Sequence, residues 1–320
     1  MKKGLSILMS LVLILGLFAV FGDVGVQAEE EYRVAYIARA QADSFAAWLA
    51  NSVLEEAEKY PQINVQVFDG QASDAQVNSL IENAIVNQFD LIIVQPNNGE
   101  AQRPYAEQVV AEGIHLITTN ARIEGIEGSS SVDADPYEQA AVMAELALEQ
   151  VPENGNVVVL NGPPGNFHAD ERRRSWEEEF FAKRPDVTIV GEQIANWNKD
   201  EAMNYMEDWV QANEQIDAII SMNDNMAAGA LEVVGNDPQF EDILAYGVDG
   251  TAEAALLIRD GKMTATTMQS AYDLAERLLE VSDTLLKGEG SEIHTDIGNP
   301  VVNQDNVQEY IEMHERAGNL

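Results

Sequence analysis

Short apolar runs alternate with amphipathic segments along most of the chain. Residues 33–38 are rich in Val, Ile, Tyr and Ala, which is typical of a strand. The next segment repeats an apolar residue every four positions, at Phe45, Leu49, Val53 and Ala57. That spacing places the four side chains on one face of a helix.

The same strand-then-helix unit recurs through two halves of the chain. The first half predicts strands at 33–38, 64–68, 91–94 and 115–119, with helices at 77–86 and 105–111 between the later strands. The second half predicts strands at 157–160, 187–190, 218–221 and 243–247, with helices through 176–181 and 203–210 and from Met226. Such alternation needs right-handed crossovers, so each half is predicted to be a doubly wound parallel sheet.

The unbroken apolar run at 91–94 favours a strand covered on both faces. Small and turn-forming residues at 130–136 indicate the junction.

The first 28 residues have the pattern of an export signal. Lys2 and Lys3 precede an apolar run from Leu5 to Phe21, and Val26-Gln27-Ala28 is a small-residue cleavage site. We expect cleavage after Ala28 and a location outside the cytoplasmic membrane. Retention of the run as a membrane anchor is the alternative, although its length is marginal for spanning a bilayer.

Composition narrows the possible functions of the 320-residue chain. With no cysteine, disulfides, thiolate metal sites, a cysteine nucleophile and a lipid-anchor cysteine are all excluded. There are 55 Asp and Glu against 18 Lys and Arg, a net charge of −37. Since like charges repel, binding to nucleic acid is not expected.

Enzyme signatures are missing from the sequence. It contains no G-x-S-x-G, H-E-x-x-H, phosphate-loop or G-x-G-x-x-G motif. His115, His168, His294 and His314 lack the spacing of metal ligands. No cofactor and no metal are therefore predicted.

Polar and aromatic residues follow the predicted strands. Ligand sites in such sheets lie at the carboxyl ends of the strands. The residues found there include Asp43, Phe45, Gln95, Asn120, Trp197, Asn223, Asp249 and Gln269. Carboxylates and amides make paired hydrogen bonds to vicinal hydroxyls, and rings stack on apolar C–H faces. That combination suits a monosaccharide.

Each candidate also has a purely structural interpretation. Asp43 and Asn223 suit helix N-caps, and Asp249 with Gly250 suits a turn. Phe45 and Trp197 could belong to the core, and Arg172, within three successive arginines, could lie on a solvated helix face.

Several phrases of the sequence together resemble a known family. They are Asp43-Ser44-Phe45, Gly162-Pro163-Pro164-Gly165 followed by His168-Ala169-Asp170-Glu171-Arg172, Ala195-Asn196-Trp197, Asn223-Asp224-Asn225-Met226-Ala227-Ala228-Gly229-Ala230, and Tyr246-Gly247-Val248-Asp249-Gly250. The chain resembles the ribose/galactose-type periplasmic sugar-binding proteins of ABC importers, over nearly all of the mature sequence.

The resemblance implies two α/β lobes, joined by a three-stranded hinge, that close over one sugar. It places the first lobe at 29–133 and 270–299 and the second at 134–269 and 300–320. The implied ligand-binding residues are Asp43, Phe45, Gln95, Asn120, His168, Arg172, Trp197, Asn223, Asp249 and Gln269. His168 stands where hexose binders often have a carboxylate, and 152–155 is too short for the calcium loop of some galactose binders.

The expected function is delivery of one monosaccharide to the permease subunits of an ABC importer, by a monomer. Asp43 and Phe45 paired with Trp197 favour a hexose-like ligand, as in glucose/galactose binders. A receptor for an inositol or pentose that feeds a chemoreceptor or sensor is an alternative. Another is a secreted carbohydrate-active enzyme that uses Asp43 and Asp249 as its carboxylates. The sequence gives no reason to expect a raised pKa at either.

The charge balance leads to a first prediction. Removal of residues 1–28 takes away Lys2, Lys3 and Asp23, a net +1, which leaves −38. Self-repulsion of this size destabilises the compact state when salt is scarce. The melting temperature without ligand should therefore rise between about 0.01 M and about 0.15 M neutral salt. A melting temperature that is flat or falls over this range would contradict the expectation.

Overall fold

A computed structural model describes residues 31–235 and 237–320. The predicted export signal at 1–28 lies outside the described residues. Among the described helices, none combines the length and the apolar character needed to cross a membrane.

The described residues form twelve strands and ten α-helices, together with a π-helical turn at Glu177–Phe181 and a short 3-10 helix at Pro238–Phe240. The strands are β1 (Tyr32–Ala38), β2 (Ile63–Asp69), β3 (Leu91–Val94), β4 (His115–Thr119), β5 (Ser130–Ala134), β6 (Asn156–Asn161), β7 (Thr188–Ile194), β8 (Ala218–Ser221), β9 (Leu244–Asp249), β10 (Ala265–Met268), β11 (His294–Ile297) and β12 (Val301–Asn303). The helices are α1 (Ser44–Ala57), α2 (Asp74–Val86), α3 (Gly99–Ala111), α4 (Pro136–Gln150), α5 (Phe167–Trp176), α6 (Lys199–Ala212), α7 (Asp224–Val234), α8 (Ala252–Arg259), α9 (Ala271–Leu286) and α10 (Val307–Arg316).

The strands form two sheets of six. The first has the order β2-β1-β3-β4-β5-β11 and is parallel throughout. The second has the order β7-β6-β8-β9-β10-β12, in which only the edge strand β12 is antiparallel. We call the first sheet with α1, α2, α3 and α9 the first lobe, and the second sheet with the other helices the second lobe. The prediction of two doubly wound α/β lobes is confirmed.

Burial on both faces of the sheets explains why their central strands are uniformly apolar. In the first lobe, Leu91 and Ile93 face one helical layer while Ile92 and Val94 face the other, and all four are fully buried. Successive side chains on a strand point to opposite faces, so a strand covered twice has no polar position. The expectation for residues 91–94 is confirmed.

Polar residues cap the helices at the carboxyl edges of both sheets. The side chain of Asp43 accepts the amide hydrogen of Ala46, and that of Asn223 accepts the amide hydrogen of Met226. Ser73, Asn98, Asn166, Asn198 and Thr251 cap their helices in the same way. An N-cap oxygen satisfies amide groups that have no partner inside the helix. Helix initiation therefore gathers polar side chains at these two edges.

Two local predictions differ from the structure. Residues 130–134, interpreted as part of a linker, form β5, which pairs with both β4 and β11. All five residues of β5 are buried. Small residues favour turns as well, which is why this stretch was interpreted as a junction. The helix predicted through 176–181 is the end of α5 followed by a π-helical turn at Glu177–Phe181.

The chain passes between the sheets three times. It leaves β5 for α4 at Asp135, leaves β10 for α9 at 269–270, and leaves β11 for β12 at 298–300. The residue boundaries given above for the lobes stay a prediction.

Candidate functional site

A narrow cavity lies where the carboxyl edges of the two sheets face each other. Its volume in this closed arrangement is only about 20 Å³. It is lined by Arg39, Asp43, Phe45, Asn120, Asn166, His168, Arg172, Trp197, Asn223 and Asp249. The first four come from the first lobe and the other six from the second. Eight of these ten residues are among the candidates from the sequence.

The remaining two candidates, Gln95 and Gln269, lie just behind the cavity wall. Gln95 is fully buried, accepts the amide hydrogen of Arg39 at 3.0 Å, and donates to Asn120 Oδ1 at 2.6 Å. Gln269 is also fully buried, and its Nε2 lies 3.5 Å from Asp249 Oδ1. Both glutamines therefore orient residues that line the cavity.

The first lobe contributes an ion pair that the sequence analysis missed. Arg39 Nη2 lies 3.0 Å from Asp43 Oδ2, and both residues are less than 9% exposed. Asp43 also caps α1, so its N-cap interpretation is correct while it lines the cavity. Arg39 is the first residue after β1, so its position at the carboxyl end of a strand was the available signal.

Arg172 is the central cation of the second lobe. Its Nε and Nη2 donate to Gln139 Oε1 at 3.1 and 2.8 Å, and its Nη1 donates to the carbonyl of Met222 at 2.7 Å. Its Nη2 is also 3.6 Å from Asp249 Oδ1. With 2% exposure, Arg172 does not lie on a solvated helix face, which corrects that interpretation. The fixed guanidinium is preorganised to present its remaining surface to a ligand.

Asp249 combines strain with burial. It ends β9 with φ at 122°, a backbone conformation rarely seen outside glycine. Burial raises the pKa of Asp249 well above its usual range; Asp224 and Asp43 add to the rise, and Arg172 opposes it. Burial also raises the pKa of the neighbouring Asp224 to about 7. Nothing in the sequence had suggested such shifts, because burial is a property of the closed fold.

Trp197 lies on strained backbone two residues before the start of α6. Asn196 and Trp197 have φ of 52° and 61°, two consecutive left-handed residues. The indole ring lies against Gly162, where a side chain would overlap it, and the guanidinium of Arg172 is 5.7 Å from the ring centroid. Strain of this kind persists only where the surrounding structure imposes it, and it concentrates at functional sites. Trp197 is thus both buried and part of the cavity wall.

The two lobes touch across the cavity. His168 Nε2 of the second lobe is 2.8 Å from Asp133 Oδ1 of the first. Asn166 Nδ2 donates to the carbonyl of Asn97 at 3.3 Å, and the amide of Gly99 donates to the carbonyl of Gly165 at 3.0 Å. These contacts hold the lobes in a closed arrangement.

Comparison with known proteins identifies the family of the chain. The model of the periplasmic binding protein domain matches residues 34–290. The chain belongs to the periplasmic binding protein family. Relatives of this family include the xylitol-binding protein of Mycolicibacterium smegmatis, 29% identical over 76% of this chain and 68% of its own. The ribose import binding protein of Bacillus subtilis is 26% identical over 73% of this chain and 75% of its own.

A solved structure of the family closely matches the fold. The Caulobacter myo-inositol binding protein bound to myo-inositol superimposes with a TM-score of 0.82. It is 26% identical, and the match covers 92% of this chain and all of the other. The relatives named here are binding proteins, which favours binding over catalysis.

Besides Arg39, the sequence analysis missed three residues at the site. Asn166 lines the cavity and caps α5, and its place just after a glycine was a usable signal. Asp133 holds His168 and carried no signal, because 130–136 was interpreted as a junction. Gln139 holds Arg172 from within α4, and nothing in the sequence pointed to this contact between residues 33 positions apart. In the part of the chain that the structure describes, no group of three His, Asp or Glu side chains could hold a metal ion.

Two glycines allow a matched test of the Trp197 position. A methyl group at Gly162 would overlap the Trp197 ring, and one at Gly191 would overlap Trp209, which lies outside the cavity. Overpacking of this kind costs about 1–3 kcal/mol. We expect Gly162→Ala and Gly191→Ala both to lower the free energy of unfolding in urea. Only Gly162→Ala should also change the tryptophan fluorescence response to ligand; equal responses would show that Trp197 does not belong to the binding site.

Proposed function

We propose that this periplasmic binding protein captures one neutral monosaccharide or cyclic polyol between its lobes and delivers it to a membrane importer. The observation that carries the proposal is the shared cavity, in which both lobes present charged groups and an aromatic ring to the same space. Charged groups and amides bind hydroxyls through strong, directional hydrogen bonds. The relatives named above are binding proteins for xylitol, ribose and myo-inositol, which supports this ligand class.

The charges of the cavity favour an uncharged ligand. Arg39 and Arg172 are balanced by Asp43 and Asp249, each arginine lying next to one carboxylate. A phosphate or a sugar acid would add a buried negative charge without a free cation, and an unpaired buried charge is costly. A neutral polyhydroxyl compound avoids that cost.

The aromatic residues favour a six-membered ring. Phe45 comes from the first lobe and Trp197 from the second, and both line the cavity. A pyranose or an inositol has an apolar C–H face that an aromatic ring can cover, and the hydroxyls project from its edge. We therefore place the ring between Phe45 and Trp197, with Asp43, Arg172, Asn223 and Asp249 around its edge. On this argument the ring compounds of the panel rank above xylitol, which has no ring.

The raised pKa of Asp249 is the one observation that favours a glycosidase. A protonated carboxyl is what a general acid requires. However, Asp249 is packed against Arg172 and Gln269, which hold it as part of the binding wall. Stoichiometric binding without turnover separates the two functions.

A ligand panel tests the proposal. The mature protein is melted with glucose, galactose, myo-inositol, ribose and xylitol, and with glucose 6-phosphate and glucuronate as charged counterparts. A ligand present at a hundred times its Kd stabilises the folded state by about 2.7 kcal/mol. We expect a rise in melting temperature for at least one neutral compound, for neither charged one, and no chemical change in the bound compound. A panel without any shift, or turnover of the sugar, would contradict the proposal.

Asp249→Asn tests the site within the same assay. Asparagine keeps the shape and tolerates the positive φ, but it loses the charge-assisted hydrogen bonds, worth about 1.5–3 kcal/mol. The Kd for the compound that gives the largest shift should therefore rise at least about tenfold in calorimetry. Asp260→Asn is the matched control, since Asp260 is a half-exposed residue paired with Arg259 on the surface. Equal Kd values for the two variants would exclude Asp249 from the site.

A further inference from the structure

The contact between His168 and Asp133 differs from every other ion pair in the described part of the chain. It is the one hydrogen-bonded pair of a basic and an acidic side chain that joins the two lobes. Both residues are at least 97% buried, and His168 Nε2 lies 2.8 Å from Asp133 Oδ1. By contrast, Arg39–Asp43 and Arg172–Asp249 each lie within one lobe.

The second ring nitrogen of His168 fixes its protonation state. Arg172 Nη2 lies 3.2 Å from His168 Nδ1. A guanidinium has only donors, so Nδ1 must accept and carries no hydrogen. The proton of the neutral ring then sits on Nε2 and is donated to the carboxylate of Asp133. A second proton, on Nδ1, would point at the positively charged Arg172.

Asp133 is itself firmly placed. Its Oδ1 also accepts the amide hydrogen of Ala134 at 2.9 Å, and its Oδ2 accepts that of Arg122 at 3.1 Å. The carboxylate is thus anchored to the first lobe, while His168 and Arg172 lie four residues apart on α5 of the second. Asp133 lies two residues before the crossing at Asp135, so its contact with His168 spans the hinge between the lobes.

We propose that Asp133 is a positioning residue of the ligand site, and that its contact with His168 latches the lobes closed only while His168 is neutral. In the closed arrangement, Asp133 orients the imidazole so that Nδ1 supports Arg172, which faces the ligand. This inference rests on the proposed function, because it adds pH control to the same closing site.

The surroundings of His168 determine the sign of the pH effect. Burial lowers the pKa of His168 in the closed arrangement; Asp133 opposes this, and Arg172 and Arg122 add to it. Several charged groups surround the ring. The first lobe contributes Asp133 on β5, Asp296 on β11 and Arg122 after β4, with Arg39 and Asp43 across the cavity. The second lobe contributes Arg172 on α5 and Asp249 at the end of β9. In an open arrangement the ring meets water and returns toward its ordinary pKa of about 6.5. The open state therefore takes up a proton first as the pH falls.

Linkage converts this difference into a prediction for ligand affinity. At His168, the closed, ligand-holding state binds fewer protons than the open state, so the titration of this ring lowers affinity below about pH 6.5. Asp249 and Asp224, whose pKa values burial raises, act in the opposite sense, so the contribution of His168 is the difference between the wild type and a variant without the ring. A single proton limits the fall to about tenfold per pH unit. His168→Gln should remove the contribution of His168, because the amide of glutamine can donate to Asp133 and its oxygen can accept from Arg172 without titrating.

The closing motion can be followed without any ligand. Since the chain has no cysteine, spin labels attach only where cysteines are introduced, at Glu82→Cys on α2 and Glu207→Cys on α6, both exposed. Distances between the labels are measured from pH 8 to pH 5, without ligand and with the compound that gives the largest thermal shift. We expect a longer-distance population to grow below about pH 6.5 in the otherwise wild-type protein and not to grow in His168→Gln.

Control variants separate the latch from other histidines. His115 begins β4 at the sheet edge opposite the cavity, so His115→Gln should respond to pH as the wild type does. His314 donates to the carbonyl of Gly250 at 2.9 Å, next to Asp249, and is the competing source of pH dependence. Asp133→Asn should weaken binding about tenfold even at pH 8, since the amide no longer provides a charge-assisted acceptor.

Three results would overturn the latch. They are distances independent of pH in the wild type both with and without ligand, an unchanged response in His168→Gln, or loss of the response in His314→Gln instead. Failure of every sugar and polyol to bind would contradict the proposed function, while the ligand-free distances would still decide whether the latch exists.

Discussion

The burial of two cations and two carboxylates in one narrow cavity is the constraint on which the rest of the structure depends. A buried charge without a partner destabilises a fold by several kcal/mol, so each must be paired and hydrogen-bonded. Arg39 is paired with Asp43, and Arg172 with Gln139, Met222 and Asp249. Because each lobe balances its own charges, the lobes can separate without breaking either ion pair. Each lobe thus forms one half of the site, which we call a half-site, and pairs the charges of that half internally.

Closure then depends on what the half-sites share. Across the described interface, the polar links are few, and they include Asp133 with His168 and Asn97 with Asn166. A ligand whose hydroxyls bond to both half-sites adds to these links and shifts the population toward the closed state. Strained residues at the strand ends, such as Trp197 and Asp249, are already in place when the lobes meet. Their preorganisation lowers the entropic cost of binding.

Periodicity was sufficient to predict two doubly wound lobes, although it gave eight of the twelve strands and the hinge came from the family resemblance. Strands such as 91–94 and 218–221 are continuous apolar runs because both faces are covered, and the rule that sites lie at strand carboxyl ends located Asp43, Trp197 and Asp249. The sequence could not predict which residues stand behind the cavity wall. Gln139 and Asp133 act through partners that lie 33 and 35 residues away along the chain, and only the fold brings them together. Arg172 illustrates the same limit, since its two arginine neighbours are surface residues while it is buried.

The central claim is that both lobes hold one ligand and close upon it. Small-angle X-ray scattering of the mature protein, with and without the compound that most raises its melting temperature, tests that claim directly. Closure of the lobes should reduce the radius of gyration on saturation, and the scattering mass should stay that of one chain. If Asp249 binds the ligand as proposed, Asp249→Asn should need more ligand for the same reduction. A radius of gyration unchanged by saturating ligand would show that the lobes do not close over it.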